Sequence, residues 1–186
     1  MIIGVSGFAR SGKDAISNIL VEHYGYEKRA FADLMKLGLY KLDPIVRGTL
    51  RLSSFVDDYG WDVAKGTPEV RRLIQVFGTE VGRELFGQTF WVDLAFKDVP
   101  AGSRIVYSDV RFPNEANEVK RLGGRVWRVE RPGVGPANNH ASEREILTWE
   151  FDKVIINDFN LDQLADKVHG LLEEYGIQRN TPTLPA

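Results

Sequence analysis

IIGVSGFARSGKD, residues 2–14, is the stretch of this sequence that decides its fold. An apolar run at Ile2–Ser6 leads directly into Gly7 to Lys13, which fits the pattern G-x-x-x-x-G-K. Glycines at these positions let backbone N–H groups wrap around a phosphate, and a helix that follows offers its positive end. The alternative is a glycine-rich turn with a solvated lysine. The apolar strand before the pattern and the helical period after it favour a phosphate-binding loop.

Two residues of this loop allow more than one interpretation. Arg10 could reach nucleotide phosphates or point into solvent. Asp14 stands where a Ser or Thr usually places its hydroxyl on Mg²⁺. Its carboxylate could serve there, directly or through a water, because magnesium prefers oxygen ligands. It could equally be a first-turn acid that is favourable near the helix dipole.

Beyond the loop, short apolar runs alternate with segments of helical period, which predicts βα units around a parallel sheet. Further strands are predicted at residues 26–32, 104–108, 125–130 and 154–156. Helices are predicted from residue 12 to about 24, after a cap at Asp33, from Pro68, from Pro113 to the glycines at 123–124, and after a cap at Asn160. In the helix from Pro68, apolar residues recur every three or four positions and predict one buried face. They are Val70, Leu73, Ile74, Phe77, Val81 and Leu85.

The predicted fold class is therefore α/β, with one domain over residues 1–177 and a loose tail at 178–186. Residues 43–66 show little clear period and contain one proline and three glycines, which predicts a loop or a mobile subdomain. Residues 131–140, RPGVGPANNH, are rich in turn formers and predict a lid-like loop. Ser142 and Glu145 form a capping-box pattern for a short helix after it.

Asp109 ends the apolar strand RIVYSD, where the carboxyl ends of parallel strands form ligand sites. A carboxylate there would hold magnesium or orient the acceptor of a phosphoryl group, and a helix-capping aspartate is the plainer alternative. Arg111 favours the first interpretation, because a planar guanidinium binds phosphate oxygens in pairs. Glu115 could orient Arg111 or a sugar hydroxyl, or it could simply complement the dipole of the next helix.

Other candidate residues give a weaker signal. Arg71 and Arg72 lie off the buried stripe of the helix from Pro68, where a solvated flank is the ordinary interpretation. The polar face of that helix continues through Gln75, Gly78 and Thr79. Periodicity places Trp91 in the core rather than against a ligand. Arg131 and His140 bracket the lid-like loop, and a lone histidine is more often a structural hydrogen-bonding group than a base.

Composition excludes several classes of site. There are no cysteines, so disulfides, zinc–thiolate sites and a cysteine nucleophile are excluded, and three scattered histidines form no metal cluster. A formal net charge of −2 argues against a general nucleic-acid binder. No apolar run approaches the roughly 20 residues that span a bilayer, and the N-terminus lacks the layout of a signal peptide. We expect a cytoplasmic enzyme with no membrane or nucleic-acid partner. A homodimer is left open.

Four blocks of sequence together resemble the phage deoxynucleoside monophosphate kinases, with phosphomevalonate kinase as a more distant relative. The blocks are GFARSGKD (7–14), RRLIQVFGTE (71–80) with Trp91, SDVRFPNEANEVKRLGGRVWRVERPG (108–133), and NHASE (139–143) with IIND (155–158). The combination of RSGKD, RRL-x-Q-x-x-GT and D-x-R is far more specific than the loop pattern alone. The aspartate after the lysine is itself a feature of that family.

The resemblance implies a P-loop kinase fold with a mostly parallel central sheet flanked by helices, Mg·ATP as donor, and a deoxynucleotide such as dGMP or dTMP as acceptor. The residues predicted to hold ATP are Gly7, Arg10, Ser11, Gly12, Lys13, Asp14 and Arg131, with Asp14 and Asp109 as the predicted ligands of Mg²⁺. The residues predicted around the acceptor are Asp33, Lys36, Arg71, Arg72, Gln75, Gly78, Thr79, Trp91, Asp109, Arg111 and Glu115. The predicted catalytic residues are Lys13, Asp109 and Arg111. Residues 43–66 correspond to a variable region on the acceptor side, which is shorter here than the insertion of some family members. Because that region could contact the base, the resemblance does not extend to the choice of base.

Two other functions are compatible with the loop pattern. One is a kinase of another small phosphorylated metabolite, and the other is a nucleotide-dependent switch or ATPase that acts on a protein partner. The basic residues at 71, 72, 111 and 131 favour an anionic acceptor over a switch, and the N-K-x-D motif of a GTPase is absent from the sequence. We therefore predict transfer of the ATP γ-phosphoryl group to a dNMP, giving dNDP and ADP.

Overall fold

The computed structural model of the protein describes residues 1–136 and 149–180. Their contacts group the chain into two compact units. The first unit comprises Met1–Ala30 and Val99–Ala186, and the second comprises Phe31–Asp98. The single domain over 1–177 and the loose tail at 178–186 stay predictions. The predicted capping box at 142–145 and residues 137–140 of the lid-like loop lie outside the described residues.

The described residues form seven strands and eight helical segments. In chain order these are β1 (Ile2–Ser6), α1 (Lys13–Tyr24), β2 (Glu27–Arg29), α2 (Phe31–Leu42), β3 (Ile45–Arg47), β4 (Leu50–Arg51), α3 (Leu52–Ala64), α4 (Pro68–Val76), a π-helical segment (Phe77–Leu85), α5 (Phe90–Phe96), β5 (Ile105–Tyr107), α6 (Pro113–Arg121), β6 (Arg125–Glu130), β7 (Lys153–Ile156) and α7 (Leu161–Glu174). The predicted strands at 2–6, 104–108, 125–130 and 154–156 are confirmed to within one residue at either end.

The first unit is built on a five-stranded sheet in the order β2-β5-β1-β6-β7. Every neighbouring pair of these strands is parallel. Apolar and β-branched side chains suit the buried interior of such a sheet, and Ile3, Val5 and Val106 are each 0% exposed. The predicted parallel sheet is therefore confirmed.

Helices cover both faces of this sheet, because successive side chains of a strand point to opposite sides. On one face, α1 and α7 share a core with Ile3 and Val5. On the other, α6 packs so close that a Cβ on Gly4 would meet Val119 at 3.5 Å. Asn160 caps α7 as predicted, since its side chain accepts from the backbone N–H of Gln163 at 3.0 Å. None of the helices in the described part of the chain is long and apolar enough to cross a bilayer.

The second strand is shorter than predicted. It covers Glu27–Arg29 rather than 26–32, and α2 begins at Phe31, which is 1% exposed. The prediction that Asp33 caps this helix is wrong, because Asp33 lies within its first turn. An acidic residue is favourable both as an N-cap and in the first turn of a helix, so the aspartate alone did not fix where the helix starts.

A hairpin and a helix occupy most of residues 43–66, so of the two predicted alternatives the loop is wrong, and a mobile subdomain stays a prediction. β3 and β4 pair antiparallel, and α3 follows β4 directly. Gly60 interrupts α3 with φ 77°, which divides the helix into two short pieces. Its ends are nevertheless anchored, because Leu52 and Ala64 are 0% exposed in the core of the second unit. The short pieces explain why the helical period was weak in the sequence.

The helix predicted from Pro68 changes its winding at Phe77. After α4, the backbone bonds reach one residue further, as where Phe86 donates to the carbonyl of Val81 at 3.3 Å. The predicted buried face holds at Val70, which is 0% exposed. The prediction for Leu85 is wrong, since its side chain is 71% exposed. The wider turns of a π-helix carry the later positions out of phase with a period of 3.6 residues.

Candidate active site

The candidate residues of the first unit follow the carboxyl ends of its strands. Because β1, β5, β6 and β7 all run parallel, the chain leaves them at the same edge of the sheet. The residues that follow the strand ends there include Gly7, Asp109, Arg131 and Asn157. Open α/β sheets form their ligand sites at this edge.

The loop after β1 has the backbone of a phosphate cradle. Gly7, Arg10 and Gly12 have φ values of 144°, 67° and 112°. Alternation of such residues with ordinary ones turns successive N–H groups toward one concave side. At Gly7 a side chain is also excluded by space, because a Cβ would lie 2.5 Å from the carbonyl oxygen of Val129. α1 begins at Lys13, so the positive end of its dipole follows the loop directly.

Lys13 folds back over this loop. Its ammonium group donates to the carbonyl of Phe8 at 2.8 Å, and its own carbonyl accepts from the hydroxyl of Ser17 at 2.9 Å. Ser11 is 1% exposed, and its backbone N–H also donates to Phe8, at 3.2 Å. Arg10 is exposed at the tip of the loop. The structure thus places a cation and a row of backbone amides together, as phosphate binding requires.

Asp14 lies in the first turn of α1, with a side chain that is 82% exposed. Lys28 of β2 donates to its carboxylate at 2.7 Å. Both interpretations of Asp14 stay open, since a first-turn acid and a magnesium ligand would occupy the same place. Lys28 was not singled out from the sequence, where it is one basic residue among several in YEKRA.

The segment after β5 is fixed against β1 and then turns into α6. The backbone N–H of Val110 donates to Val5 at 3.1 Å, which places Asp109 beside the end of β1. Glu115, which is 2% exposed, accepts from the backbone N–H of Arg111 at 2.7 Å and from that of Phe112 at 3.1 Å. These contacts are those of a first-turn acid that caps α6, and they also hold the backbone of Arg111, so both interpretations of Glu115 stay open.

In the second unit, two predicted acceptor residues are paired within their own helices. Arg72 donates two hydrogen bonds to Glu69, at 2.9 and 2.7 Å, and these bonds lower the pKa of the Glu69 carboxyl. Lys36 donates to Asp33 at 3.0 Å. Both basic side chains are partly exposed, so their partners can be exchanged for another anion at little cost.

Gly78 and Trp91 have a structural role in the second unit. The indole N–H of Trp91 donates to the carbonyl of Gly78 at 2.8 Å, and Trp91 is only 4% exposed. A Cβ on Gly78 would lie 2.5 Å from the sulfur of Met35. The expectation from periodicity that Trp91 belongs to the core is confirmed, whereas contact of either residue with an acceptor stays a prediction.

The other predicted site residues are placed as follows. Arg71 and Gln75 are exposed on α4, and Thr79 is half-buried in the π-helical segment. Arg131 is exposed at the start of the lid-like loop, where its carbonyl accepts from Val134 at 3.0 Å. His140 lies outside the described residues.

The family model described as deoxynucleotide monophosphate kinase matches residues 59–168, which is more than half of the chain. The chain belongs to the deoxynucleotide monophosphate kinase family. This confirms the resemblance seen in the sequence, and the activity of the family is phosphoryl transfer to a dNMP. The matched span begins after the loop at Gly7–Lys13, so the phosphate cradle rests on its own pattern and geometry.

Three similar proteins are viral. A protein of Acanthamoeba polyphaga mimivirus, provisionally named a deoxynucleotide monophosphate kinase, is 29% identical over 188 residues, which cover 90% of this chain and 94% of that protein. The deoxynucleotide monophosphate kinases of Escherichia phage RB69 and Enterobacteria phage T4 are 33% and 29% identical, over 57% and 56% of this chain. The chain spans only 46% and 45% of the length of those two enzymes.

Among solved structures, shikimate kinase from Aquifex aeolicus has a TM-score of 0.46 and an identity of 13%, covering 95% of this chain and 99% of that chain. Dephospho-CoA kinase from Campylobacter jejuni has a TM-score of 0.47 and an identity of 12%, covering 94% and 96%. Similarity at these TM-scores and identities says nothing about what this protein binds.

The resemblance predicts Mg²⁺ as the metal that accompanies ATP. No group of three or more His, Cys, Asp or Glu side chains comes together within residues 1–136 and 149–180. Mg²⁺ needs fewer protein ligands than that, because it binds through one or two carboxylates together with substrate phosphates and waters. Asp14 and Asp109 supply oxygen donors beside the phosphate cradle and its sheet edge, and that donor type fits Mg²⁺.

One residue that the sequence did not predict as part of the site, Asn157, contacts the phosphate-binding loop. The side-chain amide of Asn157 donates to the carbonyl of Ser11 at 2.8 Å. The sequence carried a signal for it, since Asn157 belongs to the IIND block and follows a strand, as Asp109 does. No property of an asparagine by itself, however, indicates a partner so far away along the chain.

Proposed function

We propose that the protein phosphorylates a deoxynucleoside monophosphate with Mg·ATP, and that the loop at Gly7–Asp14 holds the donor. The observation that supports this most is the geometry of the loop itself. The loop contains three residues with positive φ and leads directly into the start of α1. The ammonium group of Lys13 lies against the same loop, at the carbonyl of Phe8. A triphosphate would replace the carbonyl of Phe8 as the partner of Lys13, because an anion is a stronger acceptor for an ammonium group.

Catalysis of phosphoryl transfer is almost entirely positioning and electrostatic stabilisation. Lys13 would neutralise charge that develops on the β- and γ-phosphates. Arg111 would do so on the transferring group, since its backbone is held by the buried carboxylate of Glu115. Asp14 and Asp109 would hold Mg²⁺, which would supply further positive charge to the phosphates.

The acceptor residues are proposed as a set that neutralises and orients the monophosphate. The proposed acceptor-binding residues are Asp33, Lys36, Arg71, Arg72, Gln75, Gly78, Thr79, Trp91, Asp109, Arg111 and Glu115. Within this set Arg72 is the proposed ligand of the acceptor phosphate. Its pair with Glu69 is exposed, so the phosphate can take the place of that carboxylate.

Composition supports the proposal that the protein binds small nucleotides and not nucleic acids. A net charge of −2 supports the absence of nucleic-acid binding. A cytoplasmic location is proposed as well, whereas a homodimer is left open and is tested directly by light scattering on the purified protein.

A coupled assay across a panel of dNMPs and NMPs tests the proposed function. Purified protein with Mg·ATP should release ADP only when an acceptor monophosphate is present, and at least one dNMP should serve. Equal ADP release with and without every acceptor would favour an ATPase instead. Turnover with a different phosphorylated metabolite, and with none of the nucleotides, would favour the other kinase.

A further inference from the structure

Asn157, at the end of β7, is fixed where it can act on the phosphate loop. It is 7% exposed, and its backbone N–H donates to the carbonyl of Glu130 at 2.7 Å, which continues the pairing of β7 with β6. On either side of it, Lys167 of α7 donates to the carbonyl of Ile156 and to the carboxylate of Asp158, both at 2.7 Å. The side chain therefore projects from a backbone that is held on both sides.

The side-chain amide of Asn157 sets the orientation of one peptide group in the loop. It donates to the carbonyl of Ser11 at 2.8 Å, and this contact is buried. In a planar trans peptide the carbonyl and the next N–H point in opposite directions. With the carbonyl of Ser11 turned toward Asn157, the N–H of Gly12 is turned away from it, and the carbonyl oxygen is kept from facing a phosphate.

Gly12 shows how close this contact is. Its φ is 112°, and a Cβ built on it would collide with the side-chain nitrogen of Asn157. The second glycine of G-x-x-x-x-G-K is thus required here both by its backbone conformation and by the asparagine that packs against it. The loop and Asn157 therefore constrain each other's position.

We infer that Asn157 is a positioning residue for the donor, which holds the Ser11–Gly12 peptide in the orientation that receives the phosphates of ATP. This inference rests on the proposed function of the loop. The residue must be an amide, because a carboxylate of the same size would repel the carbonyl of Ser11 and place a negative charge beside the bound phosphates.

The decisive variant is Asn157→Asp, compared with Asn160→Asp as a matched control. Both introduce the same charge into the same segment, but Asp caps a helix as well as Asn does, so the control keeps the start of α7. We expect Asn157→Asp to weaken binding of Mg·ATP by roughly tenfold to a hundredfold, since a buried carbonyl loses its donor and faces a charge. The KM for the acceptor should stay within about twofold. Asn157→Ala, which removes the donor without adding charge, should give a smaller loss of ATP affinity of the same kind.

Calorimetric titration with Mg·ATP measures donor affinity without turnover, so it separates this inference from the proposed function. A wild-type protein that binds ATP but phosphorylates no dNMP would defeat the proposed function and leave the test of Asn157 intact. Unchanged ATP affinity in folded Asn157→Asp or Asn157→Ala would overturn the inference. So would an equal loss for donor and acceptor, or failure of both variants to fold, because Asn157 would then serve the fold as a whole.

Discussion

Lys28 of β2 and Asp14 of α1 form an ion pair at 2.7 Å, at the first turn that follows the phosphate loop. Lys28 thus occupies the exposed Asp14 carboxylate, which is a predicted ligand of the Mg²⁺ that accompanies ATP. Asp14 would therefore have to release Lys28 in order to hold Mg²⁺. This relationship allows the two interpretations of Asp14 to be separated.

Asp14→Asn should raise the Mg²⁺ concentration for half-maximal activity by about tenfold or more if the carboxylate is a ligand, because losing a ligand or its support weakens metal sites by such factors. A role limited to the helix dipole predicts no such change. Asp162→Asn is the matched control, since Asp162 is a first-turn acid of α7. A magnesium titration in which both variants follow the wild-type curve would remove Asp14 from the metal site.

Arg72 and Arg111 are expected to differ in their kinetic effects. An interaction that is equal in ground and transition states changes KM alone, whereas one made in the transition state lowers kcat. Arg72→Ala should raise the acceptor KM roughly tenfold or more with a modest change of kcat. Arg111→Ala should lower kcat and kcat/KM together, by a similar or larger factor.

Arg121→Ala is the control for these arginines. Arg121 forms the same exposed pair with a glutamate three residues earlier as Arg72 does, at 2.7 Å in both cases. It should leave both constants within about twofold. A reversed pattern, with KM changed only by Arg111→Ala and kcat only by Arg72→Ala, would exchange the two roles, and no effect of either would leave both as surface charges.

Gly82 in the π-helical segment packs directly beneath Trp91. A Cβ on Gly82 would collide with the indole ring, which is buried and fixed by its bond to Gly78. Gly82→Ala should therefore destabilise the protein by about 1–3 kcal/mol. Gly170→Ala has no atom within 4 Å of its new methyl group and should stabilise by about 0.5–1 kcal/mol. Urea denaturation of the two variants checks the opposite signs, and destabilisation of the same size in both would contradict the packing argument.

His169 should make stability depend on pH. Burial, helped by the charges of Arg179 and His23, lowers its pKa below the ordinary 6.5, and Asp166 and Glu173 act in the opposite direction. Its Nδ1 lies 2.7 Å from the hydroxyl of Tyr24. As the pH falls below about 6.5, the unfolded chain takes up a proton that the folded protein binds less readily, so the free energy of unfolding decreases.

The measurement is denaturant unfolding at several pH values between 7.5 and 5, a range of roughly one unit or more on either side of the ordinary histidine pKa. His169→Gln should lose part of the decrease that the wild type shows over this range. If the free energy of unfolding decreased equally with pH in the two proteins, a group other than His169 would be responsible for the pH dependence.

Local patterns in the sequence were enough to predict β1, its loop and α1, because a strand, a glycine-rich turn and a helix are specified by adjacent residues. The cap at Asn160 is specified in the same way. Leu85 could not be predicted, since a period of 3.6 residues carries no sign of the change to π-helical winding after Phe77.

The parts of the site that depend on topology could not be predicted. Asn157 and Ser11 are separated by 146 positions, and their contact exists because the carboxyl ends of parallel strands share one edge of the sheet. The contact of Glu115 with the backbone N–H of Arg111 likewise depends on how the chain turns between β5 and α6. The resemblance supplied roles for such residues, but only the fold supplies their partners.

Transfer of label from γ-labelled ATP is the measurement that tests the kinase function most directly. Wild-type protein with Mg²⁺ should move the label onto a dNMP and yield labelled dNDP with an equal amount of ADP. Lys13→Ala should lower the rate by at least about tenfold to a hundredfold, or roughly 1.4–2.7 kcal/mol of barrier, while the protein stays folded. Label that appears only as inorganic phosphate with every dNMP, or an unchanged rate in the folded Lys13→Ala variant, would contradict phosphoryl transfer at this loop.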